Sequence, residues 1–266
     1  MIKNRLKYLA AFILGMALLF LTGCSTTSEP ELRVAATSVP HGEILEFIKP
    51  LLNKKGINLN IVLIEDYNTP NRALHDREVD ANFFQHLPFL EAQKRDFGYR
   101  LSSIAKVHLE PMALYSKKFS IIDNLKMGSL IAIPSDPSNQ ARALNMLEQQ
   151  KLITFKKTAQ DPSILDIAKN ENQIKFLEID SSLLARTLED VDAAAITTNF
   201  ALQAGLSPLK DTLATENAQS SFVNVLVVRE GEQDRADIQA LKEALTSPDV
   251  KAFIEAHYQG SIIPAF

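Results

Sequence analysis

Strand-type and helix-type segments alternate from Leu32 to the end of the chain, and that alternation narrows the fold more than any other feature. Residues 32–36 read as a strand. Apolar residues then recur at Ile44, Leu45, Ile48 and Leu52, the stripe of a helix over 41–53, with Pro50 expected to kink it and Gly56 to end it. Residues 59–64 are apolar and β-branched, hence a strand. Segments 70–77 and 88–97 read as helices, the second stopped at Gly98, and strands follow near 101–107 and 112–115. A second block has strands at 130–133, 174–179 and 193–196. Its helices are expected over 136–147, 163–169 and 183–188, with another over 198–203 that Gly205 stops. A strong strand at 222–228 and two helices, 234–246 and 249–257, close the chain. This order predicts an α/β class, with mostly parallel sheets flanked by helices. Ligands of such sheets bind at loops beyond the carboxyl ends of strands.

The first 23 residues stand outside the pattern. Lys3, Arg5 and Lys7 precede an uncharged apolar run from Leu9 to Leu21, 13 residues long. That length fits an export leader and is short for a bilayer span. The run ends in Leu21-Thr22-Gly23-Cys24, which resembles the bacterial lipobox, so cleavage before Cys24 and acylation of its sulfur are expected. Residues 24–30 read as a polar linker, whose six residues after Cys24 reach at most ~20 Å, which keeps the folded part near a membrane surface. Cys24 is the only cysteine, so no internal disulfide is available and the fold relies on its apolar core. Loss of the leader takes three of the 28 basic residues and none of the 32 acidic ones, leaving a formal charge of −7. An acidic body argues against nucleic acid as partner and against a broad electrostatic grip on anionic lipid.

The chain carries no Gly-x-Ser-x-Gly elbow, no phosphate loop and no His-Glu-x-x-His, and its five histidines show no metal-ligand spacing. Neither an enzyme, a cofactor nor a metal is expected. Three clusters stand out instead. Asn82-Phe83-Phe84-Gln85-His86-Leu87-Pro88-Phe89-Leu90 lies between a strand and a helix, as a core plug or as an aromatic wall that Tyr67 could join. Pro134-Ser135-Asp136-Pro137-Ser138-Asn139-Gln140-Ala141-Arg142 opens a helix, with Asp136 or Ser138 as its N-cap. Arg142 is then either a surface side chain or, opposing the helix dipole, the partner of a bound anion. Asn199 and Asn224 sit beside apolar strands, as edge residues or as amides that hold polar ligand groups. Together these describe a site for an α-amino acid. Arg142 takes the carboxylate, Asn199 and Asn224 take polar groups, and Tyr67, Phe84 and His86 line a slot.

The same residues resemble the NlpA/MetQ family of methionine-binding lipoproteins, in order over the whole mature chain. The resemblance rests on the aromatic cluster from Asp80 to Leu90, on Pro111-Met112-Ala113-Leu114-Tyr115-Ser116-Lys117-Lys118, and on Ile133 through Leu144. It also rests on Thr198-Asn199 with Ala201, Gln203, Ala204, Gly205 and Leu206, and on Val223-Asn224-Val225. Ser135, Ala141 and Ser221 depart from the common residues. The resemblance implies a two-lobed periplasmic-binding fold, type II-like, with lobe 1 at 31–114 and 224–266 and lobe 2 at 115–223. It implies capture of methionine by Tyr67, Phe84, His86, Asn139, Arg142, Asn199 and Asn224, and delivery to the permease and ATPase of an ABC importer. A thioether suits aromatic edges. The alternatives are a receptor of the same fold for another small amino acid or peptide, and a surface lipoprotein acting through protein contacts. The expected location is a cell membrane, lipid-anchored on its extracytoplasmic face. Ser25 permits outer-membrane sorting, whereas an importer favours the inner membrane.

Overall fold

The computed structural model describes residues 31–156, 161–217 and 221–266, so the leader, Cys24 and the linker lie outside the described residues. Within it come β1 (Glu31–Ala36), α1 (Glu43–Lys54), β2 (Asn58–Leu63), α2 (Thr69–His75), β3 (Ala81–His86), α3 (Leu87–Phe97) and β4 (Leu101–Leu109). The chain then crosses to a second sheet through β5 (Ala113–Tyr115), β6 (Leu130–Pro134) and α4 (Pro137–Gln149). A small pair follows, β7 (Thr154–Phe155) with β8 (Ile167–Lys169), and then β9 (Lys175–Ile179), β10 (Ala193–Ile196), α5 (Thr198–Gln203) and β11 (Thr212–Thr215). It returns to the first sheet as β12 (Val223–Arg229), α6 (Ala236–Leu245), α7 (Pro248–Tyr258) and β13 (Ile263–Pro264). The strand orders are β13-β4-β12-β3-β1-β2 and β11-β5-β10-β6-β9. No helix among the described residues is long and apolar enough to cross a membrane.

The α/β class holds, with a mixed strand order in place of a mostly parallel one. β1 runs parallel to β2 and β3, and β6 to β9 and β10; the other neighbours in these two sheets are antiparallel. The cause is where the crossings enter. β3 and β4 end at the cleft with His86 and Leu109, whereas β12 starts there and so runs against both. β5 likewise leaves the cleft, while β6 and β10 arrive at it.

Strand alternation builds the core on both faces of each sheet. Leu32, Val34 and Ala36 of β1 enter one apolar cluster with Leu226 and Val228 of β12, while Ala35, Val225 and Val227 enter the opposite one. Ala193 and Ala195 of β10 face α4, and Ala194 and Ile196 face Phe200 and Leu184. The α1 stripe of Ile44, Leu45, Ile48 and Leu52 is fully buried on the first cluster, each side chain contributing roughly 1.5–3 kcal/mol. α1 continues through Pro50 to Lys54. Gly98 ends α3 at φ 70, with its N–H on the Lys94 carbonyl.

Two local expectations change. Residues 163–169 are not a helix: Ser163 and Asp166 cap a single 3-10 turn, Ile164–Asp166, and the chain then pairs as β8. A turn that short lacks the length to nucleate an α-helix. Residues 81–86, placed between a strand and a helix by sequence, form strand β3 itself, buried along its whole length. Its polar residues hid it, because Asn82 and Gln85 are satisfied by each other and by Asn71 of α2 at 2.6–3.0 Å.

Candidate functional site

β3, β12 and β4 set the floor of a cavity by register. Asn224, near the start of β12, stands opposite His86 at the end of β3 and His108 near the end of β4. Glu110 lies two residues beyond His108. From the second sheet, the segment after β10 brings Thr197 and Asn199, and α4 brings Asn139 and Arg142. The cavity, its open mouth included, takes in about 290 Å³ and is lined by Tyr67, Phe84, Gln85, His86, Phe89, Glu110, Asn139, Arg142, Thr197, Asn199 and Asn224. All seven residues singled out from the sequence therefore meet in one place.

Their hydrogen bonds divide them into two groups. The first is already satisfied. His86 Nδ1 accepts the Phe89 N–H (3.1 Å), so Nε2–H donates to Asn139 Oδ1 (3.0 Å). The Asn139 NH₂ donates to the Asp136 carboxylate (3.1 Å), which also caps α4 by accepting the Asn139 backbone N–H (2.9 Å). His86 thus offers a ring and Asn139 orients it. Burial, reinforced by Arg142, holds His86 down at about 3, so the ring is neutral. Tyr67 O–H donates to Asn199 Oδ1 (2.6 Å) and lies 3.0 Å from Thr197 Oγ1; burial pushes its phenol well above the usual range. Tyr67 packs 5.9 Å from Phe84 and 5.7 Å from Phe89, which line the cavity with it, and 5.0 Å from Phe200 behind them.

The second group keeps polar capacity. With Asn199 Oδ1 taken, its buried NH₂ has no partner among the described residues. Asn224 Oδ1 accepts from His41 Nε2 (3.2 Å), and the Asn224 NH₂ makes no bond among the described residues. Arg142 Nε reaches both oxygens of Glu216 (3.1 and 2.9 Å), and Nη2 reaches Glu216 and the Glu110 carbonyl (2.5 Å each). Nη1 makes no bond among the described residues. The Phe222 ring covers the guanidinium, 4.5 Å from its carbon. Donors therefore dominate one end of the cavity.

Glu110 is the anion of the site, and sequence reasoning passed it over. Its Oε2 accepts the Asn199 backbone N–H (3.0 Å), and Oε1 accepts His108 Nε2–H (2.6 Å), with His41 Nε2 at 3.3 Å. Burial pushes its carboxyl up, but His41, His108 and Arg142 outweigh burial and hold it below the usual range. His41, on Thr37 Oγ1 (2.7 Å), is itself held down at about 4 by burial, partly offset by Glu110. The signal available in sequence was a lone glutamate between two apolar strands, Val107-His108-Leu109-Glu110-Pro111-Met112, a polar group such a position must satisfy. His41, His108 and Glu110 bring donor atoms within 4.8 Å of one another. The 2.6 Å contact is a hydrogen bond, however, and a tetrahedral ion with ~2.1 Å bonds needs about 3.4 Å between donors. In this geometry the two histidines support Glu110 by hydrogen bonding and ion pairing.

One guanidinium, one carboxylate, free amide donors and an aromatic slot suit a small zwitterion with an apolar tail. A family profile described as NlpA lipoprotein matches residues 32–266. The methionine-binding lipoprotein MetQ of Bacillus subtilis is 39% identical over 244 residues, covering 90% of this chain and 89% of that protein. A nutrient binding protein from Burkholderia cenocepacia, solved bound to methionine, superposes with a TM-score of 0.86 at 38% identity, over 88% of this chain and 100% of that one. An ABC transporter periplasmic substrate-binding protein from Coxiella burnetii superposes with a TM-score of 0.84 at 46% identity, over 88% and 100%.

Proposed function

The chain belongs to the NlpA lipoprotein family, and from that membership we propose that it is a lipid-anchored solute-binding protein that captures methionine and delivers it to an ABC importer. It works as a binding protein and not as an enzyme. The carrying observation is the cavity itself: Arg142 and Glu110, both buried, face one cavity walled by Tyr67, Phe84, His86 and Phe89. In this reading the ligand carboxylate takes Arg142 Nη1 and the Asn199 and Asn224 amides. The ammonium faces Glu110, and the thioether lies among the rings, where sulfur is favoured by roughly 0.3–1.5 kcal/mol per contact.

Two lobes, one on each sheet, would close over the ligand, with the chain crossing near 110–112 and again before Val223. Membership of both sheets in the cavity wall supports that division. Acylated Cys24 would hold the receptor beside its permease. Calorimetry of the mature chain, unfolded and refolded to strip carried-over ligand, tests the reading with L-methionine, D-methionine and other amino acids. Binding of a methionine form is expected, with Arg142→Ala weakening it by at least ~100-fold through loss of a buried charge partner. A refolded protein that takes no methionine form, or that binds equally well without Arg142, ends the proposal.

A further inference from the structure

Arg142 does not stand alone in the cavity wall; it is gripped from behind by Glu216. Both Glu216 oxygens engage Arg142 Nε, Oε2 also engages Nη2, and the Glu110 carbonyl shares Nη2. Phe222 stacks over the guanidinium plane. Of the five N–H groups of the fork, only the two on Nη1 are left for the cavity. Glu216 is itself held by the other crossing. Its Oε2 accepts the Met112 N–H (3.1 Å), and its own N–H donates to the Met112 carbonyl (2.8 Å). Residues 110–112 and 216 are the segments by which the chain passes between the sheets, so the arginine on α4 is bolted to both passages at once.

We propose that Glu216 is the positioning residue of the site: it fixes the Arg142 fork so that Nη1 meets the ligand carboxylate, and it ties that presentation to the two crossing segments. The inference rests on the methionine reading of the cavity. Two effects of opposite sign compete at this position. The Glu216 charge partly cancels that of Arg142, which weakens long-range attraction for an anion. Its bidentate hold removes the rotamer freedom that a long side chain would otherwise lose on binding, and this wins because the pair is almost wholly buried and the geometry of the fork decides the contact.

The test is Glu216→Gln, which keeps the shape and one acceptor but loses the charge and the fork-to-fork contact. Affinity for methionine, measured by calorimetry on refolded protein, is expected to fall about tenfold, the cost of ordering one long side chain at binding. Affinity for methioninol, which lacks the carboxylate, is expected to stay within about twofold of wild type. An equal fall for both ligands would mean that Glu216 only supports the fold. Unchanged or tighter methionine binding would mean that the charge term dominates. Either result overturns the proposal. Should the glutamine variant fail to fold, Glu216→Asp, too short to span Nε and Nη2, carries the same two-ligand comparison, with the same selective loss expected. Wild-type protein that binds no methionine instead sinks the reading beneath it, so the two failures are distinct.

Discussion

At the residue scale, the site works by deciding which side chains are spent and which are free. His86 and Asn139 were singled out beside Arg142 from their positions in the sequence, yet the first two use their hydrogen bonds on each other and on α4. Glu110 was missed because nothing in its neighbours shows that two histidines converge on it from 2 and 69 positions away. The neutral histidines make a pH prediction. His41 at about 4 and His86 at about 3 lie below the 6.5 of an unfolded histidine. Between those values the unfolded chain binds more protons than the folded one, so stability is complete above ~pH 6.5 and falls as pH drops through that window. The urea midpoint is expected to be lower near pH 5 than near pH 7.5, reflecting a loss of stability on the order of 1–2 kcal/mol per ring. His41→Gln should narrow the difference relative to the parent, a comparison that removes the opposite contribution of Asp136, whose carboxyl burial pushes up. A midpoint that does not move with pH in the parent would refute it.

At the element scale, α4 carries the most function per residue. Asp136 accepts the Asn139 N–H, Pro137 occupies the first turn, and Arg142 lies farther along the same helix, facing the cavity. That start was legible: Asp-Pro-Ser before a helical stripe is a cap signature. Asp136→Ala is expected to cost ~1 kcal/mol, about 2–4 °C in Tm, and to weaken methionine binding, because Asn139 loses the carboxylate that orients it against His86. Thermal melts and calorimetry on the same sample check both; a normal affinity would show that Asn139 holds His86 unaided. β3 is the opposite case. Asn82, Gln85 and His86 break any apolar alternation, and only their partners on α2 and α4 make the strand buriable.

At the scale of the whole molecule, bonds from one sheet to the other roof the cavity: Tyr67 to Asn199, His86 to Asn139, and the Asn199 N–H to Glu110. A ligand that completes this roof stabilises the arrangement by mass action. Methionine at about 100 times its Kd is expected to add ~2.7 kcal/mol and to raise Tm, and solution scattering should show a smaller radius with ligand than without. A melting point that does not respond to methionine would count against closure around it. The sequence by itself determined the alternation of strands and helices, the cap of α4 and the seven residues first named, all of which line the cavity. Those signals are local: a stripe, a turn residue, a run of small side chains, or a motif read in order. Only the tertiary structure decided that the sheets are mixed, that Glu110 is the buried anion, and that Arg142 faces the cavity with Glu216 at its back. Each of these depends on segments far apart in the chain entering the cleft from a particular end, and no local pattern records that direction.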